Sequence, residues 1–137
     1  MSQTIRIAMV AGEASGDLLA SLLIQSLKKR LPDARFYGIG GPKMQARGLE
    51  SWYDYKTLSI MGFMEVLKQL PKLFRLRKNL LTRLIAEQPD VVIGIDAPDF
   101  NLGLEHKCKQ AGLRTVHFVS PSIWAWREGR AKKIGQS

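Results

Sequence analysis

A single cysteine, Cys108, leaves the sequence with no means of closing an internal disulfide, and such a chain suits a reducing compartment. No apolar run approaches the roughly 18 to 20 residues that span a bilayer. The start, Met1-Ser2-Gln3-Thr4, leads directly into a strand-like run and lacks the basic and apolar regions of a signal peptide. These absences set the expectation of a cytoplasmic protein. Neither a G-x-G-x-x-G nor a Walker A sequence occurs. No Cys/His/Asp spacing suggests a metal site, and no cofactor is implied. The two histidines offer little: His106 lies in a basic helix and is expected to be solvated, and His117 sits inside a strand as a core residue. Cys108 has no neighbour that would mark it as a nucleophile.

Acidic residues are also scarce. Twelve Asp plus Glu stand against 21 Lys plus Arg, a formal charge of +9 with a pI near 10. That balance attracts polyanions, whether nucleic acid, anionic lipid headgroups or phosphorylated substrates, and only the placement of the charges can choose among them.

What is present is one domain's worth of chain, 137 residues with 45% hydrophobic content. Short apolar runs alternate with amphipathic stretches, the pattern of βα units. Strands are expected at Ile5 to Ala11, Arg35 to Ile39, Val91 to Ile95 and Thr115 to Val119. Helical spacing of Leu19, Leu22, Leu23 and Leu27 runs to Leu31, where Pro32 stops it. A second helix is expected from Phe100 to Gln110, closed by Gly112. Strands this apolar are buried on both faces, which predicts an α/β fold with a parallel sheet flanked by helices. No repeat, low-complexity tract or internal linker interrupts it. A basic helix begins near Arg127 and runs into Gly135-Gln136-Ser137 without a closing strand or cap, which reads as a cut.

Ligands of open parallel sheets bind beyond the carboxyl ends of the strands. Four segments leave strand ends here: Gly12 to Asp17, Gly40 to Lys43, Asp96 to Asn101 and Ser120 to Arg127. All are rich in Gly, Pro, Ser, Asp, Asn or Trp, and the topology brings them to one edge. In the first, small residues and a helix N-terminus favour an anion or a polar sugar group; a tight turn with Ser15 or Asp17 as N-cap is the competing reading. In the third, Asp96 directly ends a hydrophobic strand, where partial desolvation suits a carboxylate to general-base work. Asp99, nearer the helix start, is expected to cap. In the fourth, Trp124, Trp126 and Arg127 lie close together, with one tryptophan expected on a ligand and one supporting the loop.

The stretch from Gly62 to Glu87 is the most unusual. Phe63, Val66, Leu67, Leu70, Leu73 and Phe74 share a helical face, Lys68, Lys72 and Arg75 oppose it, and no acidic residue intervenes between Val66 and Ala86. Pro71 is expected to kink this stretch or to start a second helix. A crossover helix packed on the sheet and a helix entering a membrane interface have the same pattern, so both readings stay open. Nucleic-acid binding ranks last because stacking aromatics do not interleave the cations.

Taken in order, Gly12-Glu13-Ala14-Ser15-Gly16-Asp17, Gly41-Pro42-Lys43-Met44, Met61-Gly62, Gly94-Ile95-Asp96-Ala97-Pro98-Asp99-Phe100-Asn101 and Ser120-Pro121-Ser122-Ile123-Trp124-Ala125-Trp126-Arg127 resemble the lipid-A-disaccharide synthases. The resemblance covers essentially the whole chain. It implies the N-terminal half of a GT-B glycosyltransferase, with residues 1–137 forming a Rossmann-like acceptor-side domain and a C-terminal nucleotide-sugar domain lying outside the sequence. It implies an inverting, metal-independent transfer of 2,3-diacylglucosamine from its UDP derivative to 2,3-diacylglucosamine 1-phosphate (lipid X), in lipid A and lipopolysaccharide biosynthesis of Gram-negative bacteria. Asp96 matches the family's strand-end base. Glu13, Ser15, Gly16, Asp17, Asn101, Ser120, Ser122, Trp124 and Arg127 are the acceptor-binding candidates. The resemblance also implies peripheral association with an anionic inner membrane, which turns Met64, Val66, Leu67, Leu70, Leu73 and Phe74 toward lipid contact. Without its second domain the chain is expected to be inactive. A non-catalytic membrane-surface or polyanion-binding module is the alternative.

Overall fold

The computed structural model describes residues 4–12, 14–54, 66–95 and 98–118, with backbone alone at 66–70, 73, 98 and 99. Its centre is β1 (Arg6–Ala11), whose five inner residues are all buried. The elements that follow are α1 (Ala14–Arg30), β2 (Arg35–Ile39), α2 (Pro42–Ala46), β3 (Leu49–Ser51), α3 (Val66–Glu87), β4 (Val91–Ile95), α4 (Pro98–Gln110) and β5 (Thr115–Phe118). The strands form one parallel sheet in the order β3-β2-β1-β4-β5. This is the expected Rossmann-like α/β arrangement.

Alternation along the strands divides the core into two layers. Ile7, Met9 and Ala11 of β1 join Ile93 and Ile95 of β4 beneath α1, where Ala20 and Ile24 pack on them. Ala8, Val10 and Val92 face the other way, against Leu80 and Leu84 of α3 and Phe100, Leu104 and Cys108 of α4. Each fully buried leucine or isoleucine contributes about 1.5–3 kcal/mol before chain entropy is counted. At the edge of the second layer, Tyr37 stacks on Trp52 with ring centroids 4.8 Å apart. The Arg83 guanidinium covers the outer Trp52 face at 4.0 Å, tying α3 to the β2–β3 side of the sheet.

The sequence-predicted strands and the Phe100 to Gln110 helix recur with shifts of one or two residues at their ends, whereas α1 begins at Ala14, so that Ala14 to Asp17, expected in a loop, form its first turn. Two elements are additional: α2 and β3 follow the Gly40-Gly41-Pro42 turn signal, and neither is long enough to show a period. Pro71 lies inside α3 and does not start a separate helix. Its ring removes one backbone donor within the second turn, which a helix of 22 residues tolerates. Among the described residues no helix is long and apolar enough to cross a membrane.

Candidate active site

β1, β2 and β3 progress in one direction across the sheet and β4 and β5 in the other, so the strand order reverses between β1 and β4. A crevice opens at the carboxyl ends of the strands at such a switch point. The segments that join β1 to α1 and β4 to α4 flank it. These are the first and third of the segments singled out from sequence.

On the α1 flank, Asp17 decides the geometry. It does not cap its own helix. Its side chain is buried and reaches the N-terminus of α2, where Oδ2 accepts from the Lys43 backbone N–H at 3.0 Å and Oδ1 from that of Met44 at 2.9 Å. These amides would otherwise be orphan donors of a helix whose own N-cap residue, Gly41, has no side chain. Gly41 is required by the same contact, since a Cβ there would lie 2.6 Å from Asp17 Oδ2. Gln45 closes the turn by donating to the Gly40 carbonyl at 2.9 Å, and the Gly40 N–H donates to Ser51 Oγ at 3.2 Å. The first turn of α1, the segment after β2 and the end of β3 therefore form one braced rim. Gly16 is buried within it, and Ser15 is exposed on the first turn of α1. Of the described candidates on this flank, Ser15 presents a side chain to solvent and Asp17 serves the rim from inside.

On the other flank, Asn101 is also turned inward. Fully buried, its Nδ2 donates to the carbonyls of Val10 at 3.2 Å and Ile95 at 3.3 Å. It thus bridges the last turns of β1 and β4 across the switch point. One helical turn further along α4, Glu105 Oε2 lies 2.8 Å from Nδ1 of His117 on β5. Both side chains are more than nine-tenths buried. His117 is a core residue, as expected, but its partner escaped the sequence reading. A glutamate in the run Glu105-His106-Lys107 looks solvated, and only His106 and Lys107 are exposed. Gly94 makes room for the carboxylate: a Cβ there would stand 2.7 Å from Glu105 Oε2 and 3.0 Å from Asn101 Cβ. Cys108, in the same layer, is inert. Burial, reinforced by the neighbouring Glu105 charge, pushes its thiol up to about 11.

Asp96, Glu13, Ser120, Ser122, Trp124, Arg127 and Met64 lie outside the described residues, as do the side chains of Val66, Leu67, Leu70 and Leu73. Of the lipid-contact candidates Phe74 alone has a described side chain, and it is half exposed. Arg77 lies 5.0 Å over its ring and also packs against Gly103 of α4. Lys72, Arg75 and Lys78 are exposed near it. No group of three or more His, Cys, Asp or Glu side chains that could hold a metal ion occurs among the described residues.

Residues 7–137 match the family model described as lipid-A-disaccharide synthetase. Over all 137 residues the chain is 61% identical to the lipid-A-disaccharide synthase of Dechloromonas aromatica and 58% identical to that of Pseudomonas aeruginosa (strain LESB58), covering 36% of each relative's length. It is 59% identical over 133 residues to that of Chromohalobacter salexigens, with 97% of this chain and 34% of the relative covered. The chain thus spans about a third of the length of the relatives it matches.

Proposed function

This chain belongs to the lipid-A-disaccharide synthetase family, and on that premise we propose that it forms the acceptor-side domain of a glycosyltransferase of lipid A biosynthesis. The reaction is the transfer of 2,3-diacylglucosamine from its UDP derivative to the 6-hydroxyl of lipid X, giving the β-1,6-linked disaccharide 1-phosphate and UDP. The family match across residues 7–137 carries this reading. The crevice between β1 and β4, flanked by the segments that bear Glu13, Ser15 and Asp96, supports it.

Asp96 follows the last residue of β4 and is the proposed base. Its carboxylate takes the proton of the acceptor hydroxyl as that oxygen attacks the anomeric carbon and the UDP oxygen departs. One base and one displacement give inversion, and no metal enters the step. Ser15 and the amides at the start of α1 suit an anionic or hydroxylated acceptor group. Glu13, Ser120, Ser122, Trp124 and Arg127 are proposed to complete the acceptor side. Asp17 and Asn101 serve it from beneath, through the backbone bonds described above. The donor's nucleotide is assigned to a C-terminal domain in the rest of the family's length.

In a complete synthase carrying this segment, Asp96→Ala should reduce turnover by at least about 10²-fold with the fold intact, in line with general-base contributions. Near-normal turnover would sink the assignment. The exposed Phe74 beside Lys72, Arg75 and Lys78 favours a second element of the reading, peripheral contact with an anionic membrane. Co-sedimentation with anionic vesicles should weaken on Phe74→Glu; unchanged binding would remove Phe74 from the contact.

A further inference from the structure

The sheet carries a second, deeper polar cluster that the proposed chemistry does not use. Gly94 and His117 are direct neighbours in register across β4 and β5, so their side-chain positions share the α4 face of the sheet. Asn101 and Glu105 are four residues apart on α4 and reach that same face. From the rim inward, Asn101 holds the Ile95 carbonyl, Glu105 fills the space above Gly94, and His117 fixes Glu105 from the side. Only two residues, Asp96 and Ala97, join Ile95 to the start of α4.

The direction of this hydrogen bond follows from which groups can donate. A glutamate carboxylate only accepts, so Nδ1 of His117 carries the proton in the 2.8 Å contact. Nε2 is buried, with no partner among the described residues.

We propose that Glu105 and His117 are positioning residues: with Asn101 they form a buried brace that fixes the end of β4 against α4 and so sets where the Asp96 carboxylate stands over the acceptor hydroxyl. This rests on the reading of Asp96 as base. A two-residue connection held at both ends transmits displacement. If the carboxylate is lost, α4 can settle toward Gly94 and shift the residues it is joined to. Misplacements of about 1 Å at a reacting group can lower rates by about 10²-fold.

The experiment uses a complete synthase carrying this segment, with kcat and KM measured for both substrates and folding checked by circular dichroism. Glu105→Ala should lower kcat by about 10- to 100-fold while KM for the UDP-sugar changes less than about twofold. Glu105→Gln keeps an acceptor for Nδ1–H, and His117→Asn keeps a donor at the Nδ1 position, so both should stay within about threefold of the parent. His117→Leu should behave like Glu105→Ala. A folded Glu105→Ala with unchanged kcat, or conservative variants as impaired as the truncations, would overturn the proposal. Failure of the parent protein to form disaccharide would instead refute the functional reading. Independently of activity, nitrogen-15 NMR of this chain should show a proton on Nδ1 of His117. An Nδ1 that carries no proton would overturn the brace even if no variant could be purified.

Discussion

The two flanks of the crevice use the same local device for different ends. On each, a buried carboxylate rests against a glycine: Asp17 against Gly41, and Glu105 against Gly94. Asp17 bonds two backbone amides at a helix N-terminus, where fixed dipoles favour an anion. Glu105 bonds one imidazole nitrogen of a neighbouring strand. The first arrangement joins loops into a rim and requires both carboxylate oxygens. The second requires one oxygen. Similar burial thus leads to unequal tolerance of substitution.

The comparison breaks hardest at Asp17. Asp17→Ala leaves two α2 amides without their acceptor and should lower the unfolding free energy of the chain by about 3 kcal/mol, read by urea denaturation. Asp17→Asn, which presents an amide to one of those N–H groups, should still lose about 2 kcal/mol. A loss below about 0.5 kcal/mol for either would mean that water replaces the carboxylate. Next is Gly94→Ala, expected at about 1–3 kcal/mol through overpacking against Glu105. The loss should shrink by about 1 kcal/mol or more when Glu105 is already alanine, and strict additivity in that double-mutant cycle would show that the two do not share space. Smaller still is Glu105→Gln. One acceptor oxygen suffices for His117, so stability should move by less than about 1 kcal/mol, well under the Asp17→Asn effect. The smallest effect concerns Cys108. With its thiol raised to about 11 by burial and Glu105, thiol reagents at pH 8 should label it only as fast as the chain unfolds. Raised from 9.0, this group adds stability that is complete below pH 9 and fades toward pH 11. Immediate labelling of the native chain would show that the Glu105 layer is open.

Much of this was legible in advance. The runs at Arg35 to Ile39 and Val91 to Ile95 coincide with β2 and β4 because strands buried on both faces leave an uninterrupted apolar signature. The crevice followed from topology, and the family from motifs in order. The α2 helix was illegible for a physical reason: five residues show no period, and the carboxylate that stabilises it lies 26 residues upstream of Lys43. Glu105 was hidden because charge in a basic helix normally faces water. Asp17 and Asn101 were expected among the acceptor-binding residues, but polarity in a sequence does not say which way a side chain turns. Both turn inward. The α3 stretch divides likewise, with Leu80 and Leu84 in the core and Phe74 half exposed, so packing and surface readings each describe one part of a single helix.

The central place of β1 also constrains how the chain is made. Its neighbour on one side, β2, follows within about thirty residues, but Arg6 meets Asp90, 84 residues downstream, before the other edge is covered. At about 5–20 residues per second, a ribosome leaves that apolar edge unpaired for roughly 4 to 17 seconds. Throughout that interval the strand at the heart of the sheet is an open template for a neighbouring chain. The nascent protein is therefore most vulnerable to misassociation before Val91 to Ile95 emerges, and a chaperone that shields β1 should matter more than one that shields any later strand.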